Sequence, residues 1–225
     1  MEEFLSAELE VVPAGRARTL GLDGSMILGY GQDDRVCSYT SLMALVEQTE
    51  TPKRTSCCLL VDKEEIGSTG STGMNSELLP NIVSEVLALL GKSSDLALRR
   101  CLRNSYMLSS DVNSAYDPLH TELYDKQNSS TLSGGVVFNK YTGSRGKSGA
   151  SDANPEFIAK LRKVLDDNSV TYQMAEMARV DVGGGGTIAK FAAYYGMEVI
   201  DCGVAVLSMH APWEITSVFD VESAY

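Results

Sequence analysis

The sequence predicts an α/β fold, with a mainly parallel central sheet flanked by helices on both faces. Three observations carry that expectation. Apolar runs of strand length recur along the chain, amphipathic stretches of helical period separate them, and glycine-rich loops mark the switches. Strands joined through helices in this way form βα units, which assemble most readily into a parallel sheet.

The elements follow in order. Residues 7–30 read as extended, with "AELEVVPAG" and "GSMILGYG" carrying turn residues between apolar stretches. From Gly31 helices and strands alternate. "SLMALVEQ" (41–48) has helical period, and "CCLLVD" (57–62) reads as a short apolar strand. "SELLPNIVSEVLALLGK" (76–92) is an amphipathic helix that starts near Pro80 and stops at Gly91. "SYMLSSDV" (105–112) and "GGVVFNKYTG" (134–143) read as strands. "NPEFIAKLRKVLDDN" (154–168) is a helix with Asn154 as N-cap and Pro155 at its first position. "VTYQMAEM" is a strand, and "VGGGGTIAKFAAYYGM" is a glycine loop feeding a helix that ends at Gly196. "EVIDCGVAVLSMHAPWE" closes with one more strand, and a final helix begins near Thr216. No internal repeat is visible, and "SSTLSGG" and "GSRGKSGAS" read as loops.

Composition narrows the function. A chain of 225 residues can build one sizeable domain with its own core, and 44% apolar with 22% charged residues is ordinary for a globular protein. A net charge of −11 lacks the basic stripe that nucleic acid requires and repels anionic membranes. No apolar run reaches the length of a membrane span, and the acidic start "MEEFLSAELE" is unlike a signal peptide, so a cytoplasmic location is expected. Five cysteines without a CxxC pair predict reduced, mostly buried thiols. With His120 and His210 the only histidines, cysteine–histidine chemistry has few partners.

In a sheet of this kind ligands gather at the carboxyl ends of the strands. Four acidic or imidazole groups fall there or in the adjoining loops: Asp33 with Asp34 in "GQDDRVC", Glu64 with Glu65 in "VDKEEIG", Asp111 in "SSDVN" and His210 in "LSMHAPWE". Carboxylates and an imidazole on one edge suit zinc, manganese or cobalt. Each group also fits a plainer role. Glu64 and Glu65 suit the start of a helix, Asp33 and Asp34 a helix cap, Asp111 a turn, and His210 a hydrogen-bonded structural position. The "GGGG" run at 183–186 lacks the spacing and lysine of a phosphate-binding loop, and reads as a tight turn that Gly184 and Gly185 leave open to a substrate chain end.

Five ordered motifs, "GQDDRVCSY", "VDKEEIGSTGSTGM", "SSDVNSAYDP", "GGGGTIA" and "VLSMHAPWE", resemble the aspartyl aminopeptidase family of metallopeptidases over essentially the whole chain. The resemblance implies a three-layer zinc-peptidase-like fold and a site with two zinc ions, manganese or cobalt being alternatives. It implies that Asp33 bridges the two metals, Glu65 and His210 complete one of them, and Asp111 binds the other. Glu64 matches the general base that works on a metal-held water to hydrolyse the N-terminal residue of peptide substrates. Residues 1–30 match the end of a dimerisation insertion and its link, 31–225 the catalytic domain, and homo-oligomers are implied. The match covers roughly the C-terminal half of a full-length member, so the histidine that other members place on the Asp111 side is expected in an earlier segment. An inactive, self-associating fragment is the competing expectation. The family name implies acidic N-termini, for which Arg145 or Lys147 in "GSRGKSG" offers a cation. Ser114 stands where many members have a histidine.

Overall fold

The computed structural model describes residues 2–144, 148–179, 182 and 184–225. In chain order the elements are α1 (Glu2–Leu5), β1 (Arg18–Leu20), β2 (Met26–Gly29), α2 (Gln32–Val46), α3 (Leu78–Leu89), α4 (Asp95–Arg103), β3 (Tyr106–Ser110), β4 (Asn113–Ser114), β5 (Val136–Asn139), β6 (Tyr141–Ser144) and β7 (Ser148–Asp152). They continue with α5 (Pro155–Asp167), β8 (Tyr172–Met174), α6 (Ala189–Tyr194), β9 (Glu198–Gly203), β10 (Ala205–Leu207), β11 (Glu214–Ser217) and α7 (Val218–Ala224). The fold is mixed α/β, with sheets flanked by helices.

The central four-stranded sheet runs β3-β9-β5-β8, parallel at both outer pairs and antiparallel between β9 and β5. Alternation along its strands sends side chains to two different cores. Ile200, Cys202 and Phe138 pack beneath Phe157 and Leu165 of α5. Val199 and the half-buried Met107 face Ala189, Phe191 and Ala192 of α6 on the other side. Helix, sheet and helix form three layers.

A second sheet of five strands, β1-β2-β11-β10-β4, is antiparallel except for its β10–β4 pair. Two segments of chain cross from one sheet to the other. β3 continues past Asp111 into β4 beside β9, which continues past Gly203 into β10. The Asp111, Asn113 and Ala115 N–H groups donate to the carbonyls of Cys202, Val204 and Val206. The expected single closing strand is therefore three: β9 and β10 belong to different sheets, and residues 214–217 form β11, with α7 starting at Val218. Gly203 marks the crossing, because its Cα lies where the Asp111 carbonyl passes.

Helix signals read from sequence hold at α3, which stops before Gly91 (φ 73°), and at α5, with Pro155 at its N-terminus. The Asn154 side chain makes no cap bond; it donates to Glu198 instead. α2 begins earlier than "SLMALVEQ", and "GGVVFNKYTG" is broken at Lys140 into β5 and β6. "CCLLVD" is not a ladder strand. Leu59 and Val61 pack inward while Leu60 is exposed, the alternation of a strand. Yet Asp62 N–H to Thr72 O is its one backbone hydrogen bond among the described residues. All five thiols are free, but only Cys37 and Cys202 are buried and Cys57 is exposed, because this unpaired edge carries Cys57 and Cys58.

The N-terminal segment joins the second sheet through β2, paired with β11 from Met26↔Ser217 to Gly29↔Glu214. Upstream, Arg18 stacks its guanidinium over Trp213, 4.8 Å from the ring centre. Phe4, Leu5, Leu9 and Val11 are exposed.

Candidate metal centre

Asp33 and Asp34 follow β2 at the mouth of α2. Their backbones are non-helical (φ −84°, ψ 106° and φ −123°, ψ 54°), the peptide between them is cis, and the regular helix begins after them. Asp34 has the capping role that sequence left open: its carboxylate accepts from Cys37 N–H at 3.3 Å. Asp33 is directed elsewhere, towards the loop that follows β10.

Glu64 and Glu65 lie in a 3-10 turn, Glu64–Ile66, between Lys63 (φ 67°) and Gly67 (φ 88°). They do not end a strand, and successive residues of a 3-10 helix are turned by roughly 120° about its axis. The turn is held firmly: Ser68 N–H donates to Lys63 O at 2.7 Å and Asn75 N–H to Ser68 O at 3.1 Å. A Cβ on Gly73 would stand 2.2 Å from Ser68 O, so only glycine lets the loop close there.

His210 follows β10 in a left-handed conformation, φ 64°. Its Nε2 lies 2.8 Å from Asp33 Oδ2 and 3.1 Å from Glu65 Oε1. The three residues offer one ligand atom each, all within 4.8 Å of one another, and form a cluster able to hold a metal ion. Asp33 is nearly enclosed, with 10% of its side chain exposed, whereas His210 and Glu65 stay open at 61% and 59%. Two carboxylates and an imidazole with an open side fit zinc's preferred donors.

The charges around this cluster are unbalanced. Burial, then the charge of Glu65, lifts the Asp33 carboxyl to about 6, against the pull of His210. Burial lifts Asp34 to about 7, with the Cys37 hydrogen bond opposing and Asp33 adding. Glu64 is raised by burial and by the charges of Glu65 and Asp33. Asp111 is raised well above its ordinary value by burial and then by Asp34, Asp33 and Glu64. Asp33, Asp34, Glu64, Glu65, Asp111 and His210 thus share one electrostatic neighbourhood, crowded with carboxylates that a cation would relieve. Asp111 stands apart from the tight trio, and its Oδ1 accepts from Val112 N–H at 2.8 Å.

Sequence reasoning missed Glu214. It is 2% exposed, and its carboxylate accepts from Asp33 N–H at 3.1 Å and from His210 N–H at 2.7 Å. The available signal was a glutamate placed four residues after the histidine in "MHAPWE", at the start of a β-branched stretch.

The remaining candidates lie outside this cluster. Gly185 O accepts from Gly143 N–H at 2.9 Å, and a Cβ on Gly186 would come within 2.6 Å of Gly149 O, so Gly185 and Gly186 pack backbone to backbone against β6 and β7. Gly184 has φ 101°. Arg145 and Lys147 lie outside the described residues. Ser114 exchanges a 2.8 Å hydrogen bond with the Tyr124 hydroxyl, and His120 lies on the surface 3.8 Å from Glu122.

This chain is similar to a probable M18 family aminopeptidase 1 of Clostridium acetobutylicum, 58% identical over 220 residues, which cover 98% of this chain and 47% of the relative. A Borreliella burgdorferi protein of the same description is 48% identical across the whole chain and 49% of its own length. Among solved structures, aminopeptidase I from Clostridium acetobutylicum aligns at a TM-score of 0.90 and 56% identity over 99% of this chain and 48% of that one. An M18 aminopeptidase from Thermotoga maritima aligns at 0.90 and 43% identity over 95% and 47%. The chain spans about half the length of the curated relatives it matches. The family model described as aminopeptidase I zinc metalloprotease (M18) matches residues 1–225, and the chain belongs to that family.

Proposed function

We propose that this chain is the catalytic part of a zinc aminopeptidase that hydrolyses the N-terminal residue of peptides. The convergence of Asp33, Glu65 and His210, with Glu64 beside them in the same turn, is the observation that carries this reading. Asp33, Glu65 and His210 would hold one cation, and Asp33 with Asp111 a second. A cation there supplies Lewis-acid chemistry, polarising a peptide carbonyl and acidifying an attacking water. Glu64 acts as general base: its carboxylate takes the proton as the water attacks and returns it to the departing amine nitrogen. The raised affinity of Glu64 for a proton suits both halves of that task, since a base poised nearer neutrality also serves as the later acid. Enclosure of Asp33 fixes one ligand, while the exposure of His210 and Glu65 leaves room for the substrate terminus.

Residues 1–30 are the end of a dimerisation insertion and 31–225 the catalytic domain in this reading, and the chain self-associates. The exposed Phe4, Leu5, Leu9 and Val11 support association, because apolar side chains exposed along the N-terminal segment gain by being covered. A cytoplasmic location belongs to the same proposal, and no helix among the described residues is long and apolar enough to cross a membrane.

The test is release of an amino-acid anilide by the zinc-loaded chain, with metal counted by emission spectroscopy before and after chelation. Turnover that disappears with the metal and returns on adding it supports the proposal. A folded chain that retains zinc and releases nothing supports an inactive, self-associating fragment instead.

A further inference from the structure

Glu214 occupies an unusual position for a buried carboxylate. It lies in β11, it is 2% exposed, and no lysine or arginine is among its hydrogen-bond partners in the described residues. Its partners are two backbone N–H groups, those of Asp33 and His210. Asp33 is 181 positions away in sequence and follows β2; His210 is four positions away and follows β10. β11 lies between β2 and β10 in the sheet, and Glu214 itself is in register with Gly29, just upstream of the Asp33 turn.

The geometry points to Glu214 as a positioning residue for the metal centre: one buried carboxylate clamps the backbones of Asp33 and His210 and presets the spacing of their side chains before a cation arrives. This rests on the reading of Asp33, Glu65 and His210 as ligands. Each carboxylate oxygen serves one of the two segments, so neither can shift without giving up a charge-assisted hydrogen bond. The clamp also accounts for His210 at φ 64°, a left-handed backbone that a non-glycine residue adopts only when its surroundings hold it there. Groups that orient ligands in this way typically contribute about ten- to a hundredfold in metal affinity.

Glu214→Gln keeps the shape but breaks the symmetry, since one arm of the amide is a donor facing an N–H donor. In the variant, zinc affinity should fall about ten- to a hundredfold. In metal-free protein, the Asp33 and His210 amides should exchange with deuterium faster while the β3 and β9 amides are unchanged. Thr216→Val, in the same strand, is the control for a purely structural effect: it loses the hydroxyl bond to Ala205 O, and should lower the melting temperature while leaving zinc affinity within about twofold. Should Glu214→Gln fail to fold, exchange in the metal-free wild type decides, with protected Asp33 and His210 amides expected. Wild-type amides that exchange unprotected, or a folded Glu214→Gln that binds zinc within twofold of wild type, overturn the inference. If His210→Ala keeps its zinc, the ligand reading fails, and protected amides then reduce Glu214 to a structural clamp with no part in metal binding.

Discussion

Replacing Gly203 by alanine should damage the fold and the candidate site together, because this glycine lies under Asp111. A Cβ built at Gly203 stands 1.8 Å from Asp111 O, 2.6 Å from its carbonyl carbon and 3.0 Å from Cys37 Sγ. The nearest of these is main chain and has no rotamer to escape into. Real Cβ atoms essentially never approach below 3.0 Å, so the carbonyl must retreat by about 1.2 Å, the difference between 3.0 and 1.8 Å. Overpacking of this kind costs about 1–3 kcal/mol. Moving Asp111 also strains its 2.8 Å N–H bond to Cys202 O, a bond that contributes about 1 kcal/mol. The expected total is about 2–4 kcal/mol, or roughly 4–16 °C in melting temperature for a domain of this size. Differential scanning calorimetry in chelator reads the stability, and zinc titration reads whether displacing Asp111 weakens the second cation proposed for it. A variant that melts within about 1 °C of wild type and binds zinc identically would refute the close packing of the two crossing segments.

Other perturbations separate the roles of neighbouring groups. Glu64→Gln should keep metal and lower turnover by at least about a hundredfold, the scale of a general base, while Glu65→Gln should release metal more easily; reversed phenotypes would mean the pair is misassigned. Burial holds the Asp201 carboxyl at about 6 against an ordinary 3.8, with the Thr187 and Ser109 hydroxyls pulling it down. The native state therefore binds more protons than the unfolded one between those values, and Asp201 makes stability fall as pH rises from about 4 to about 6, by up to roughly 3 kcal/mol. Asp201→Asn should flatten that slope in urea melts at pH 4.5 and 7.5, gaining on wild type at the higher pH; parallel curves would contradict the assignment. Light scattering at micromolar concentration should find an oligomer, and a monomer would remove the exposed arm as evidence for association.

What could be read from sequence depended on how local the determining interactions are. α5 carries its own signals, a proline at the first position and an apolar stripe that includes Phe157 and Leu165, so it is legible without its neighbours. α3 ends where Gly91 permits a positive φ. α4 was overlooked although Ser94 caps it, its hydroxyl accepting from Ala97 N–H, because a helix of 9 residues repeats its apolar stripe over too few turns to be read. The segment at 57–62 shows the opposite failure: its apolar alternation is real, but ladder membership depends on a partner that the local sequence does not encode. The same holds for the break at Gly203, imposed by the Asp111 carbonyl from another segment. Asp33, Glu64, Glu65, Asp111 and His210 stand out in the sequence because carboxylates and an imidazole follow apolar runs, while the roles proposed for them come from the resemblance of their motifs. Glu214 does not stand out, since its part depends on two N–H groups that only the second sheet brings together.

The ligand assignment is tested most directly by soaking a crystal of the chain in limiting zinc and locating the metal by anomalous scattering. Asp33, Glu65 and His210 supply an imidazole and two carboxylates, whereas the second cation is assigned only the carboxylates of Asp33 and Asp111 in the proposal. The first peak should therefore appear among Asp33, Glu65 and His210, and a peak beside Asp111 should follow only as zinc is raised. A first peak beside Asp111, with none beside His210, would contradict the assignment and the mechanism built on it.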